Sequence, residues 1–310
     1  MTGTVRIGTR GSGLAMLQAR IVAGKFNALG DKTEIIVIKT TGDMEKDVPL
    51  YSMKQTGVFV KELETALLEG RIDAAVHSLK DMPVDLRSGL EITAMLDREN
   101  PLDVFISAKY KELKEVPKGG SIAAGSIRRM SQVKAAMPGL IAQSIRGNVE
   151  TRVKKIMESF DGGIMAAAGI IRLGLDKAGL NIIAADEFTP APGQGIIAVE
   201  TVNGSSAGIA AAKFDCLESR LCYTAERDFL KETGGGCSLP VGALCVKSAK
   251  GHSLYGYIGD EEGKLVYRGL FEFAEYNRPY GRELAEKLLS AGGRAVLENI
   301  RKKNSDNQHN

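Results

Sequence analysis

Apolar residues in the first half of the chain recur with two alternating periods. VRIGTR (5–10), EIIVIKT (34–40) and AAVHS (74–78) are short runs rich in β-branched or small apolar residues and read as strands. LAMLQARIVAGKF, entered through the turn at Gly11, Ser12 and Gly13, repeats apolar positions at helical spacing, as does VFVKELETALLEG (58–70), which ends at Gly70. This alternation predicts strands joined through helices into a mostly parallel sheet. The segment TGDMEKDVPLYSMKQT (41–56) has no period and is long for a connection, so it reads as a mobile lid.

From DVFISA (103–108) the pattern restarts through SIAAG, SIRRMSQVKAAM, LIAQSI, NVETRVKKIMESF, GGIMAAA and GIIRLGL, which predicts a second α/β domain. PAPGQG (190–195) interrupts it, and IIAVET (196–201) reads as a strand returning to the first domain, so that two crossings would form a hinge. A helical span around 206–232 is followed by GGGCSLPVG, three strand-like runs and a helix near 280–302, a smaller α+β unit. The expected division is 1–98 with 194–216, then 99–193, then 217–305, with 306–310 as a frayed tail. A chain of 310 residues is long enough for several domains, and clefts form where they meet.

Composition narrows the function by exclusion. With 41 basic against 38 acidic residues, 5% aromatics and no Trp, neither an all-over basic surface nor a stacking platform for nucleic acid is expected. No stretch approaches the roughly 20 apolar residues of a membrane span, and MTGTVRIGTRGS lacks the apolar core of a signal peptide. A cytoplasmic protein without membrane contact is the expectation. The four cysteines form no C-x-x-C pair and only three histidines are present, so reduced thiols and no metal site are expected. Cys216 and Cys222 lie in an apolar helical pattern and read as core.

Three strands empty through small-residue turns into helices with arginine close by: Arg10 to Ser12, Ser126 to Arg129, and Arg146 to Arg152. Helix N-termini offer unpaired N–H groups and a positive dipole end, and arginine adds a planar fork for carboxylate or phosphate. With Arg172, these turns either line an anion-binding cleft or are capped surface turns carrying salt-bridged arginines. HSLKDMP (77–83) places Lys80 and Asp81 just after an apolar strand. That pair either handles protons in a cleft or caps a turn. A Schiff base at Lys80 is disfavoured, because Asp81 beside it would oppose the drop in pKa such chemistry needs. In GGGCSLP (234–240) the thiol of Cys237 follows three glycines, which suits a covalent attachment point or inert packing.

Taken together, RIGTRGSGLAMLQA, GVFVKELETALLEGRIDAAVHSLKDMP, GSIRRMSQ, RGNVETR, AAGIIRLGL, PAPGQG, AERDFL and GGGCSLPVG resemble the porphobilinogen deaminase family of tetrapyrrole (haem) biosynthesis. The likeness covers most of the first 242 residues and is only architectural beyond them. It implies two domains like type II periplasmic binding proteins with a cleft between them, and a smaller α+β third domain. It also implies a transferase, working as a monomer, that condenses four porphobilinogen molecules into linear hydroxymethylbilane with loss of ammonia. A dipyrromethane cofactor would be bonded through a thioether to Cys237, with Asp81 catalytic. Cofactor carboxylates would meet Ser78, Lys80, Ser126, Arg128, Arg129 and Arg146, and substrate carboxylates Arg10, Ser12, Arg152 and Arg172.

The chain departs from the family pattern at three places. MKQTG (53–57) stands where many members have KVGGKG, Leu102 replaces an arginine, and Gly125 replaces a serine. Lid and carboxylate contacts are expected to differ there. Two other readings compete with the enzyme: a non-catalytic type II ligand-binding protein for a small carboxylate, and an RNA-binding protein using the arginine-rich turns. GGGC and a third domain argue against the first, and scarce aromatics argue against the second.

Overall fold

The computed structural model describes residues 3–39, 60–176, 179–236 and 238–306. The expected lid at 41–56, the expected attachment residue Cys237 and the last four residues of the tail lie outside the described residues. The chain opens with β1 (Thr4–Thr9), α1 (Gly13–Ala28), β2 (Lys32–Val37), α2 (Lys61–Leu68), β3 (Ala74–Ser78) and β4 (Leu90–Met95). It crosses into a second sheet through β5 (Asp103–Ile106), β6 (Ser121–Ala124), α3 (Ile127–Ala136), β7 (Ile141–Ser144), α4 (Val149–Ser159), β8 (Gly162–Ala166), α5 (Ala167–Arg172) and β9 (Asn181–Ile183). It then returns with β10 (Ile197–Val202), which inserts between β3 and β4 in the order β2-β1-β3-β10-β4. The second sheet has the order β7-β6-β8-β5-β9.

Both sheets are mixed, against the mostly parallel sheet expected from the pattern. β10 runs antiparallel to β3 and β4, and β5 runs antiparallel to β8 and β9. The crossing dictates this: Leu79, just past the end of β3, donates to Ile196 O at 3.0 Å, so the returning strand enters the first sheet at the edge where β3 leaves. Helices cover both faces of the first sheet, with Val22 and Phe26 of α1 on one cluster and Leu63 and Leu67 of α2 on another. Burial on both faces is why β3 begins with the unbroken apolar run Ala74, Ala75 and Val76.

The remainder comprises α6 (Ser206–Ala211), α7 (Leu217–Glu232), a meander β11 (Val241–Ser248), β12 (Gly251–Gly259) and β13 (Val266–Phe273), then α8 (Tyr280–Leu288) and α9 (Arg294–Asp306). Phe229, Leu254, Ile258, Leu284 and Leu297 form one core between these helices and the three strands. Two helical spans are shorter than their periodicity suggests. The span at 206–232 breaks before α7, where the Asp215 carboxylate accepts from Met95 N and Arg220 Nε, both at 2.7 Å. The span near 280–302 breaks between α8 and α9 at Gly292, whose φ is 127° and whose missing Cβ leaves room for the Tyr267 hydroxyl.

Gly292→Ala would force a side chain into a positive-φ position and against that hydroxyl. A loss of about 1–3 kcal/mol is expected, read as a lower Tm in thermal unfolding; an unchanged Tm would mean that the α8–α9 break relaxes freely.

Candidate active site

Each of the three arginine-bearing turns ends in a capped helix start. Ser12 Oγ accepts from Ala15 N at 3.3 Å at the head of α1, Ser126 Oγ accepts from Arg129 N at 3.3 Å at the head of α3, and Asn148 Oδ1 accepts from Thr151 N at 2.8 Å at the head of α4. The first turns of these helices, together with α5, converge on a cleft between the two sheets that holds about 500 Å³ of space open to solvent. The first-sheet side contributes Leu14, Gln18, Ser78 and Lys80, the second Arg129, Val149, Arg152 and Arg172, and the return linker Gln194 and Gly195. Gln18 Nε2 donates to Ser78 Oγ at 2.9 Å, and Arg172 Nη2 donates to Gly195 O at 2.6 Å.

The electrostatic centre is Asp103, which is fully buried. Burial raises its pKa, yet Arg128 and Arg129 outweigh that and hold the carboxyl far below the ordinary range. Arg129 Nη2 donates to Asp103 Oδ1 at 2.8 Å, and Arg128 Nη2 lies 2.9 Å from Oδ2. Arg128 also donates to Thr189 O at 2.6 Å, so its guanidinium is turned into this buried cluster and does not line the cleft. Arg129 does both. Gln194 joins the halves: its Nε2 donates to Asp103 Oδ1 at 2.8 Å, and its Oε1 accepts from Arg129 at 3.2 Å and from Lys80 Nζ at 3.3 Å.

Lys80 is half-buried, and desolvation followed by the charge of Arg129 pulls its pKa down to about 8. The sequence reading expected Asp81 to keep this lysine's pKa up; Asp81 does pull upward, but burial and Arg129 win. Arg152 is lowered to about 10 by burial and then by Arg129, while Arg10 and Arg146 lower it further and Asp81 opposes. Arg10 and Asp81 of the first sheet and Arg129 and Arg146 of the second are thus all within electrostatic reach of Arg152. Asp81 itself is exposed at the end of a short 3-10 turn, Leu79–Asp81. Gly125 has a steric role: a Cβ there would lie 2.5 Å from Arg152 Nη1, so the glycine makes room for this guanidinium.

Residues 5–209 match the family described as porphobilinogen deaminase, dipyromethane cofactor binding domain, and residues 220–290 match its C-terminal domain. Porphobilinogen deaminase of Syntrophus aciditrophicus is 40% identical over 96% of this chain and 98% of its own length, and that of Syntrophomonas wolfei is 43% identical over 96% and 99%. The chain belongs to the porphobilinogen deaminase family. The family match extends to residue 290, past residue 242, beyond which the sequence reading found only architectural likeness. Among solved structures, the methionine binding protein MetQ aligns over 72% of this chain and 91% of its own at 14% identity, with a TM-score of 0.45. A periplasmic substrate-binding protein from Coxiella burnetii aligns over 67% and 90% at 14% identity, with a TM-score of 0.43.

A porphobilinogen deaminase needs a pocket that accepts a polycarboxylate pyrrole cofactor, and the donor set here fits one. Lys80, Arg129, Arg152 and Arg172 line the cleft, and burial lowers Lys80, Arg152 and Arg172, so an incoming carboxylate would relieve unfavourable charge. The described residues flanking 237 leave from the end of α7, which is pinned to the loop after Asp81: Arg227 Nη2 donates to Val84 O at 2.6 Å, and Lys231 pairs with Asp85 at 3.2 Å. Farther on, Gly242 packs against Thr189 O, Pro190 O and Arg128 Cδ, where any Cβ would clash.

Sequence reasoning passed over two residues that hold the site together. Gln194 was read as part of the punctuation PAPGQG, and Asp103 as the first residue of a strand. A polar residue opening an apolar strand beside Pro101 was the available signal for Asp103; for Gln194 there was none.

Asp103→Asn would leave Arg128 and Arg129 as uncompensated buried cations. A loss of about 3–5 kcal/mol in urea unfolding is expected, and parent-like stability would mean that water reaches the cluster. Lys80 supplies a pH test in cofactor-free Cys237→Ala protein. Because its folded pKa of about 8 lies below the ordinary 10.5, the unfolded chain holds more protons between these values and stability gains as pH rises through that window. The Tm difference between Cys237→Ala and Cys237→Ala/Lys80→Met should therefore shift in favour of the lysine protein from pH 8 to pH 10. A difference that is flat with pH would contradict the depressed lysine.

Proposed function

We propose that the cleft between the two sheets carries out the family reaction with Asp81 as the carboxylate that handles protons and Lys80, Arg129, Arg152 and Arg172 as the anchors for carboxylates. The chain is a transferase that condenses four porphobilinogen molecules into hydroxymethylbilane in tetrapyrrole biosynthesis. The observation that carries the residue assignment is the placement of an exposed Asp81 beside two cations weakened by burial, Lys80 from its own sheet and Arg152 from the opposite one.

The dipyrromethane, covalently held, supplies the anchored pyrrole end to which units are added. Each porphobilinogen brings an acetate and a propionate, and Lys80, Arg152 and Arg172 regain favourable charge by pairing with them. Arg10 and Arg146 stand close enough to Arg152 to take the next carboxylates. The Asp81 carboxylate stabilises the cation left when ammonia departs from the substrate's aminomethyl carbon, and it accepts the proton lost from the pyrrole α-carbon that bonds to this methylene, so that the attacked ring recovers its aromaticity. Ser78, Ser12 and Ser126 orient this set, the last two as helix caps, while Arg128 acts through Asp103 to hold Arg129 in place. A lengthening product in one cleft requires the sheets to move apart, and the crossings at 96–100 and 190–196 are where they would pivot. Cys237 serves as the point of attachment. We read the enzyme as a cytoplasmic monomer without nucleic-acid partners, in keeping with its balanced 41 basic and 38 acidic residues.

Asp81→Asn should retain the fold by circular dichroism and lose nearly all turnover, a fall of at least about 100-fold for a group in proton transfer. Near-parent turnover would reassign the proton chemistry. Intact-mass measurement on the same preparations should show an adduct of two linked pyrroles on the parent that Cys237→Ala lacks. An adduct that survives this substitution would move the attachment elsewhere.

A further inference from the structure

We infer that the third domain carries a site for a thiophilic divalent cation of the zinc class, built from Glu218 and Cys222 on α7 and His252 on β12, with Cys245 on β11 as the fourth donor. Glu218 and Cys222 are four residues apart and so share one helix face. In the β11–β12 register Cys245 faces Leu254 and Lys247 faces His252, which puts Cys245 and His252 on the same side of the sheet. That side packs on α7, with Cys222 and Cys245 in one core cluster.

Three of the donors already lie close together. Glu218 Oε1 lies 2.8 Å from His252 Nε2 and 3.5 Å from Cys222 Sγ, and the three ligand atoms lie within 4.8 Å of one another. Zinc bonds of about 2.0–2.3 Å place tetrahedral ligands roughly 3.3–3.8 Å apart, so small side-chain shifts suffice. Cys222 and Cys245 belong to one buried cluster, and two thiols with an imidazole select zinc-class ions over magnesium or calcium. Stacking on Phe273, with centroids 5.3 Å apart, fixes the His252 ring, and the half-exposed Glu218 side chain leaves a route in from solvent. Binding replaces the proton between His252 and Glu218 and converts the ligating thiols to thiolates, releasing those protons to water, so affinity increases with pH. Among the described residues His252 Nδ1 is buried without a partner, and lacking that outer hydrogen bond the site binds less tightly than a buttressed structural zinc centre.

One turn beyond Cys222, Glu226 accepts from Cys245 N at 2.8 Å, from Gly193 N at 2.7 Å and from Arg98 Nη1 at 2.6 Å. A cation bridging α7 to the sheet would therefore stiffen the helix and strand by which the third domain holds both crossings. The nearby cysteine pattern predicted no metal, because the donors come from three separate elements.

The test uses untagged holoenzyme, whose cofactor thioether removes Cys237 from competition, after chelator dialysis. Zinc titration by calorimetry should give one ion per chain and a higher Tm, and cobalt(II) should give thiolate-to-metal charge-transfer absorption with the same stoichiometry. Excess magnesium should not compete. Glu218→Gln and Cys222→Ser should each weaken zinc binding by about tenfold or more, and Cys222→Ser should reduce the cobalt absorption. Absence of saturable binding overturns the proposal, as does a Glu218→Gln protein with parent-like affinity. If Cys222→Ser fails to fold, Glu218→Gln decides alone, since its carboxylate is half-exposed. Neither result bears on Asp81, so this site and the catalytic assignment stand or fall separately.

Discussion

The cleft depends on one buried carboxylate. Asp103, at the start of β5 and shielded from water, compensates Arg128 and Arg129 at the head of α3 and accepts from Gln194 of the return linker. With that charge in place, Arg129 can stand in a half-enclosed cavity beside Lys80 without two cations facing each other unopposed. Gln194 passes the constraint across the gap by accepting from both of them. The site is thus assembled at the seam where the chain changes sheets, as expected when open α/β sheets bind ligands at a topological crossing.

Cations kept short of anions are what make the cleft suited to its substrate class. Arg152 and Lys80 are both lowered by burial and by the positive charge of Arg129, with Asp81 alone among the named influences on Arg152 pulling the other way. A ligand rich in carboxylates would restore the balance. A second buried polar group performs the corresponding task for the third domain: Glu226 binds Arg98 in the forward crossing and Gly193 in the return crossing. The three domains are tied together through their linkers, and the linkers lead directly into the site.

Local pattern made much of this legible. The AAVHS strand, the Ser-capped starts of α1 and α3, the returning strand after PAPGQG and the three-stranded meander all follow from apolar period and turn chemistry. Helix lengths were overestimated where a long-range contact ended the helix, as with Asp215 reaching Met95 or Gly292 yielding to Tyr267. Those contacts join residues far apart in sequence, and periodicity carries no information about them.

The sequence by itself determined the family, the reaction and the candidate residue types, because HSLKDMP, RGNVETR and GGGC are contiguous motifs whose chemistry is local. Only the tertiary structure decided that Arg128 turns inward while Arg129 and Arg152 face the cleft, that Lys80 loses proton affinity despite its acidic neighbour, and that Glu218, Cys222 and His252 converge. Burial and distance are properties of packed elements, and a group's charge state and partners depend on them more than on its neighbours along the chain.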